Sequence, residues 1–176
     1  FYEQEFEKYG VYDNFYEDKE EVDFQFSLVL DYVSGGKRIE SDFFNEREKM
    51  HLEDVKDIMS YLRLMLIISA VLLMMFLYFF TEEDLISGVL DGSYFGIGVI
   101  VMLLSSFLVD FKAVFIKMHE LIFTNDLWIL NFHTDNLGRM MPEGIFFDIG
   151  IRLGVYALLI FVFSTAVCLI TRKVEK

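Results

Sequence analysis

Three long apolar runs without a charged residue constrain this chain more than any other feature. They are Leu64–Thr81, Gly92–Val109 and Leu153–Thr171. A helix that crosses the hydrocarbon core of a bilayer needs about 18–20 such residues, and each run reaches that length. A water-soluble domain could not hide so much apolar surface in a chain that is 55% hydrophobic. The sequence therefore predicts an all-α, polytopic transmembrane helix bundle with spans at about 61–81, 92–110 and 150–171.

The first polar segment, residues 1–57, is predicted to be a helical domain outside the membrane. Its clearest helix is Val22–Val33, which should stop at the Gly35-Gly36 pair. Asn45 followed by Glu48 has the spacing of a capping box. This spacing predicts a helix that starts there and runs unbroken into the first span.

Residues 58–176 are predicted to form the transmembrane bundle, with an outer-face loop at 111–149. Two spans separate residues 1–57 from this loop, so both polar segments should face the same side and build an outer-face helical subdomain. The cationic tail, Arg172 to Lys176, favours a cytoplasmic C-terminus by the positive-inside rule. The chain starts at Phe1 rather than methionine, and a fourth, N-terminal span is predicted to be missing from it. Such a span would return the N-terminus to the cytoplasm.

The formal net charge of −13 excludes several classes of partner. Nucleic acids select basic surfaces, so no nucleic acid is expected, and anionic lipid is not expected to be held by a polybasic patch. The single cysteine, Cys168, lies in the last apolar run. It cannot form an internal disulfide and has no adjacent base, so it is a poor candidate nucleophile.

Two of the three histidines are candidates for general acid–base chemistry. His51 lies on the helix before the first span, within reach of Arg47, Glu48 and Asp54. It could be a general base oriented by an acid, or a solvated histidine at the membrane interface. His119 lies in the other outer segment, so it is predicted on the same side of the membrane as His51; the alternative is an incidental histidine on a helix face. His133 has the surroundings of a loop residue.

Further polar candidates lie near these histidines in the sequence. Asn125 and Asp126 could cap a helix or hold a substrate amide or ammonium, and Trp128 suits the interfacial aromatic belt. Arg139 could pair with an acid. The motifs of zinc peptidases, serine hydrolases and nucleotide-binding proteins are absent, and Glu48-x-x-His51 matches only half of a di-iron carboxylate site. No cofactor and no metal are predicted.

Three blocks of the sequence resemble a known family. They are FYEQEFEKYGVY, FNEREKMHLEDVK and HELIFTNDLWIL…TDNLGRMMPEGIFFD, and they occur in the right order along nearly the whole chain. Together they are similar to the lipoprotein intramolecular transacylases (Lit) of Gram-positive bacteria, formerly an uncharacterised family of four-span membrane proteins. The chain departs from the family chiefly in lacking the first span.

The resemblance implies an enzyme of the cell membrane with its active site on the extracytoplasmic side. Its substrate would be a lipoprotein whose N-terminal cysteine carries a diacylglyceryl group, and membrane lipid would be a second partner. The sn-2 acyl chain would move to the cysteine α-amino group, which leaves a lyso-form N-acyl lipoprotein. The residues that match the family's catalytic histidines are His51 and His119.

Aminolysis of an ester needs a base for the amine proton and an acid for the leaving alkoxide, and imidazole can be either near neutral pH. The sequence does not assign the two roles, although we favour His51 as base, backed by Glu46 or Glu48. His119 would then be the acid or oxyanion donor, supported by Asn125 and Asp126. Two alternatives remain open: His51 and His119 could ligate a haem or metal, or the protein could be a non-catalytic sensing or assembly protein.

Overall fold

The computed structural model describes residues 2–16 and 18–174, and within them it contains helices and no strand. The helices are α1 (Tyr2–Lys8), α2 (Lys19–Ser34), α3 (Glu46–Phe79), α4 (Glu82–Ile122), α5 (Asn136–Met140) and α6 (Glu143–Val174). A 3₁₀ turn at Tyr12–Asn14 follows α1. The predicted all-α fold is confirmed.

Three of these helices, α3, α4 and α6, are long and apolar enough to cross a membrane. Their most apolar windows are not buried inside the protein at all, and Leu66, Met74 and Phe163 are among the large side chains exposed there. Such a surface is stable against lipid and unstable against water. The three predicted spans are confirmed, and the chain is a multi-pass membrane protein.

The helix ends follow the local signals of the sequence. Asp18 accepts a hydrogen bond from the Glu21 N–H (2.9 Å) at the start of α2, and Gly35, with a φ of 124°, ends it. At the start of α3, Asn45 and Glu48 form the reciprocal capping box, with N–H to side-chain oxygen distances of 2.7 and 3.0 Å. The predicted cap and the unbroken helix into the first span are both confirmed.

Helix α4 has a break that the sequence analysis did not predict. Asp110 has non-helical backbone angles (φ −156°, ψ 82°), and its carboxylate accepts a hydrogen bond from the N–H of Ala113 (3.0 Å). An acid that binds the N–H three residues later is a helix N-cap. The part of α4 that carries His119 therefore starts as a new helical stretch after the second span.

The chain divides into two compact units. Unit 1 contains the described residues up to Leu66 together with Phe115–Phe146, and unit 2 contains Ile67–Val114 and the described residues from Phe147 onward. Most of the outer loop predicted at 111–149 thus belongs with the N-terminal segment. Both candidate histidines lie in unit 1.

The core of unit 1 is built from aromatic and branched side chains of α1, α2 and the start of α3. The Phe6 and Phe26 ring centroids lie 4.9 Å apart, and Phe44 and Leu52 are almost fully buried. This core fixes the first turns of α3, where His51 lies.

Unit 2 relies on glycines for the close packing of α4 against α6. A Cβ on Gly96 would lie 2.6 Å from the Phe161 ring, and one on Gly150 would overlap the Phe107 ring. Close approach through small residues is typical of membrane helices. An apolar cavity of about 270 Å³ lies between the two helices, lined by Ile100, Leu103, Leu104, Phe107, Gly150, Leu153, Gly154 and Ala157.

Candidate active site

His51 is buried on α3 in an apolar setting. Only 8% of the residue is exposed, and its ring packs edge-on against Phe123, with centroids 5.3 Å apart. Among the residues that the structure describes, the buried Nδ1 of His51 has no hydrogen-bond partner. A buried polar atom without a partner costs free energy, and such atoms are concentrated at functional sites.

The surroundings of His51 keep its ring neutral. Burial and, to a lesser extent, the nearby His119 lower the pKa of His51 from 6.5 to about 4, while Asp54 acts in the opposite direction. An imidazole with this pKa carries no charge at neutral pH. It can donate a hydrogen bond through its one N–H, but it is a weak base.

His119 has a different environment, which orients its ring. Its Nδ1 lies 2.7 Å from the backbone carbonyl oxygen of Phe115, one helical turn earlier. A carbonyl oxygen only accepts, so Nδ1 must carry a proton, and in the neutral ring the lone pair is on Nε2. The ring is flanked by Phe115 and Trp128, at centroid distances of 4.1 and 5.0 Å.

The two imidazoles meet at Phe123. The ring centroid of His51 lies 5.3 Å from the centroid of Phe123, and that of His119 lies 5.5 Å from it. The two imidazole centroids are therefore no farther apart than the sum of these two distances. The predicted convergence of two histidines from distant parts of the chain is present. The sequence analysis missed Phe123, although its i+4 spacing from His119 could have indicated the contact.

Asn125 and Asp126 fasten the loop after α4 to α3. The side-chain amide of Asn125 donates to the Asp54 carboxylate (2.9 Å), while its oxygen accepts from the N–H of Leu127 (3.0 Å). Arg47 donates to the backbone oxygen of Asp126 (2.6 Å). These bonds hold the loop in the position from which Trp128 reaches His119.

Neither Glu46 nor Glu48 has the contact with His51 that the sequence suggested. Glu48 is almost fully buried, and its two oxygens accept from the backbone N–H groups of Asn45 (2.7 Å) and Leu137 (2.5 Å). Burial raises the pKa of Glu48, although these two hydrogen bonds act against the rise. Glu46 is exposed and pairs with Lys49 (3.1 Å). The expectation that either carboxylate orients His51 therefore does not hold in this geometry.

Glu48 instead belongs to a polar network that joins α3 to the loop before α5. The Asp135 carboxylate accepts from the Asn45 side chain (3.0 Å) and from the N–H of Asn131 (2.7 Å). With the Glu48–Leu137 bond, this network closes around the N-terminus of α3, and Asp135 is only 8% exposed. It positions the helix turn that precedes His51.

Arg139 and His133 lie in the same loop region with other partners. Arg139 donates to the Asn136 side chain (3.0 Å) and to the backbone oxygen of Asn14, and its guanidinium lies 5.0 Å from the Phe15 ring centroid. The acid that was expected as its partner is replaced by an amide and a carbonyl oxygen. His133 is exposed, and its N–H binds the Asn131 side chain (3.0 Å), as suits a loop residue.

The arrangement of the two imidazoles can bind and transfer protons. In the described part of the chain, no group of three or more His, Cys, Asp and Glu residues lies close enough to hold a metal ion. What the geometry provides is an oriented lone pair on His119 Nε2 and a neutral imidazole at His51, both beside aromatic rings. The Nε2 atom of His119 can accept a proton, and the N–H of His51 can donate a hydrogen bond.

Comparisons with known proteins identify the family and the fold. The sequence matches the family model described as lipoprotein intramolecular transacylase Lit over residues 1–147. The fold is similar to the in meso structure of the membrane integral lipoprotein intramolecular transacylase Lit from Bacillus cereus, with a TM-score of 0.72 and 22% identity. That match covers 98% of this chain and 80% of the other. No curated protein matches the sequence.

Proposed function

The chain belongs to the lipoprotein intramolecular transacylase family, and from this premise we propose the reaction and the roles of its residues. The enzyme moves the sn-2 acyl chain of a diacylglyceryl-modified lipoprotein onto the α-amino group of the N-terminal cysteine. The product is a lyso-form, N-acylated lipoprotein. The observation that carries the proposal is the meeting of His51 and His119 at the Phe123 ring.

The first step is attack of the amine nitrogen on the ester carbonyl carbon. An α-amino group has a pKa of about 7.7–8.0, so a useful fraction is neutral near pH 7. Amine and ester belong to one molecule, and holding them close replaces a bimolecular encounter by a unimolecular step. The attack forms a C–N bond and gives a tetrahedral adduct with a proton on nitrogen and a negative charge on oxygen.

His119 takes the proton from nitrogen. Its Nδ1–H is fixed by the Phe115 carbonyl, so its Nε2 lone pair is the available acceptor. The neutral His51 donates its N–H to the oxyanion, where a donor aimed at developing charge lowers the barrier. This order is the opposite of the one favoured from the sequence, because burial lowers the pKa of His51 and so weakens it as a base.

The adduct collapses when the bond between the former carbonyl carbon and the sn-2 oxygen of glycerol breaks. The glycerol alkoxide is too basic to leave alone, so protonated His119 returns its proton to that oxygen. One ester is lost and one amide is formed, no water is consumed and the total mass is unchanged. A serine or cysteine acyl-enzyme is not needed.

We place this chemistry on the extracytoplasmic side of the membrane. The two segments of unit 1 are separated along the chain by two spans, and the C-terminal helix ends in Arg172 and Lys173. Positive charges at a span end favour the cytoplasm, which puts unit 1 outside. Lipoprotein head groups in the outer leaflet would then be at the level of the histidines.

The experiment uses the purified full chain in nanodiscs and a synthetic diacylglyceryl lipopeptide with different acyl chains at sn-1 and sn-2. Tandem mass spectrometry should show an unchanged total mass, with the sn-2 chain on the N-terminal nitrogen. In a mixture of two substrates with different chains and peptides, no crossed product should form. Crossed products, free fatty acid or transfer of the sn-1 chain would contradict the proposal.

A further inference from the structure

A carboxylate beside the histidines has no assigned role. Asp54 lies three residues after His51 on α3, so the two side chains share a helix face. It is close enough to counteract the burial effect on the pKa of His51. In the parts of the chain that the structure describes, no lysine or arginine forms an ion pair with Asp54.

The neighbouring cations on α3 are engaged elsewhere. Arg47 donates to the backbone oxygen of Asp126, and Lys56 donates to the backbone oxygen of Gly36 and lies over the Tyr32 ring. The half-buried charge of Asp54 is therefore not neutralised by these side chains. A partly desolvated carboxylate next to a neutral imidazole favours an added cation.

Asn125 holds this carboxylate in place. Its oxygen accepts from the N–H of Leu127, which turns its NH₂ group toward Oδ2 of Asp54 (2.9 Å). Among the bonds of the described residues, Oδ1 of Asp54 has no donor, so it is the acceptor left for a ligand. The Asp54 carboxylate is therefore an oriented anionic acceptor near His51 and Trp128.

We propose that Asp54 binds the α-ammonium group of the substrate and delivers that nitrogen to the histidine pair. This inference rests on the proposed function, which supplies a substrate with a free N-terminal amine. At neutral pH most of that amine is protonated, and a carboxylate is the acceptor best suited to hold such a cation. The Asp54 carboxylate accepts one ammonium N–H, while another N–H is directed at His119 Nε2. That proton passes through His119 to solvent before attack, so that Nε2 is free again to take the proton of the adduct.

The test measures binding of two unreactive analogues of the lipopeptide, in which ether bonds replace the esters. One analogue carries the α-amino group and the other has a hydroxyl group in its place. The wild-type chain in nanodiscs should bind the amine analogue about tenfold more tightly than the hydroxyl analogue. This ratio corresponds to the lower end of the range for a charge-assisted hydrogen bond, because the carboxylate is half-exposed. Asp54→Asn, which keeps the shape and removes the charge, should bind both analogues equally.

Glu53→Gln is the matched control, because Glu53 is the adjacent residue and is exposed. It should keep the tenfold preference of the wild type. Asn125→Ala should reduce the preference, since the carboxylate loses its orienting partner. Should Asp54→Asn fail to fold, as judged by its thermal unfolding, Asp54→Ser is measured in the same way.

Two results would overturn the inference: a wild-type chain without preference for the amine, or an Asp54 variant that keeps it. Both leave the proposed function standing if the ester-linked lipopeptide is still converted by the wild type. Failure of the proposed function is recognised separately, as the absence of any N-acylated product from that substrate.

Discussion

Replacement of Glu48 by alanine tests whether this buried carboxylate holds the site together or acts on His51. Its two oxygens accept from the backbone N–H groups of Asn45 and Leu137, at 2.7 and 2.5 Å. The loss of an acceptor costs about 1–3 kcal/mol for the buried N–H of Leu137 and less for the part-buried N–H of Asn45. Removal of a buried charge returns part of that loss, so we expect a net destabilisation of about 2–4 kcal/mol.

Glu46→Ala is the control, two residues away on the same helix. Its side chain is 85% exposed and pairs with Lys49, and such surface pairs are worth about 0–0.5 kcal/mol. Unfolding of both variants in detergent is followed by circular dichroism. For a chain of this size, Glu48→Ala should lower the Tm by about 5–15 °C, and Glu46→Ala by less than about 2 °C.

Two results would refute this reasoning. One is an equal loss of stability in the two variants, which would mean that the hydrogen bonds from Asn45 and Leu137 to Glu48 do not stabilise the fold. The other is a Glu48→Ala protein with wild-type stability and no activity. That outcome would return Glu48 to the role of partner of His51, as first expected from the sequence.

Two further predictions concern pH and packing. The pKa of His51 is about 4 in the folded protein and about 6.5 when unfolded, so its neutral ring contributes stability above pH 6.5 that is lost as the pH falls toward 4. Between pH 7 and 4 the wild type should therefore lose about 3 kcal/mol more than His51→Gln in denaturant unfolding, and parallel curves would contradict the buried neutral histidine. In unit 2, Gly96→Ala should lower the free energy of unfolding by about 1–3 kcal/mol, because its Cβ meets the Phe161 ring. Gly98→Ala is the control and should change the stability very little, since nothing lies within 4 Å of its Cβ. Thermal unfolding in which Gly98→Ala is the less stable variant would contradict this packing.

The features that could be read from the sequence are those with a local cause. The spans follow from runs of apolar residues, the end of α2 from Gly35, and the start of α3 from the Asn45–Glu48 spacing. Each signal lies within a few residues of its effect. The pattern of residues was therefore sufficient for α2, the start of α3 and the membrane class, but not for the break at Asp110 in α4.

The parts of the site that were missed depend on contacts between distant segments. Glu48 is within one turn of His51 in the sequence, but its oxygens are taken by Asn45 and by Leu137, far along the chain. His51 packs against Phe123, just after the end of α4, and burial lowers its pKa; no local pattern encodes this contact. Candidate residues could thus be found from the sequence, whereas their roles required the folded protein.

The central claim is that His51 and His119 act as one unit on a single ester. It is tested most directly by the single-turnover rate of N-acylation in nanodiscs for wild type, His51→Gln, His119→Gln and the double variant. Groups that share one transition state are strongly non-additive. The double variant should therefore be no slower than the slower single variant. Multiplied effects of the two substitutions, or a wild-type rate in either single variant, would contradict the claim.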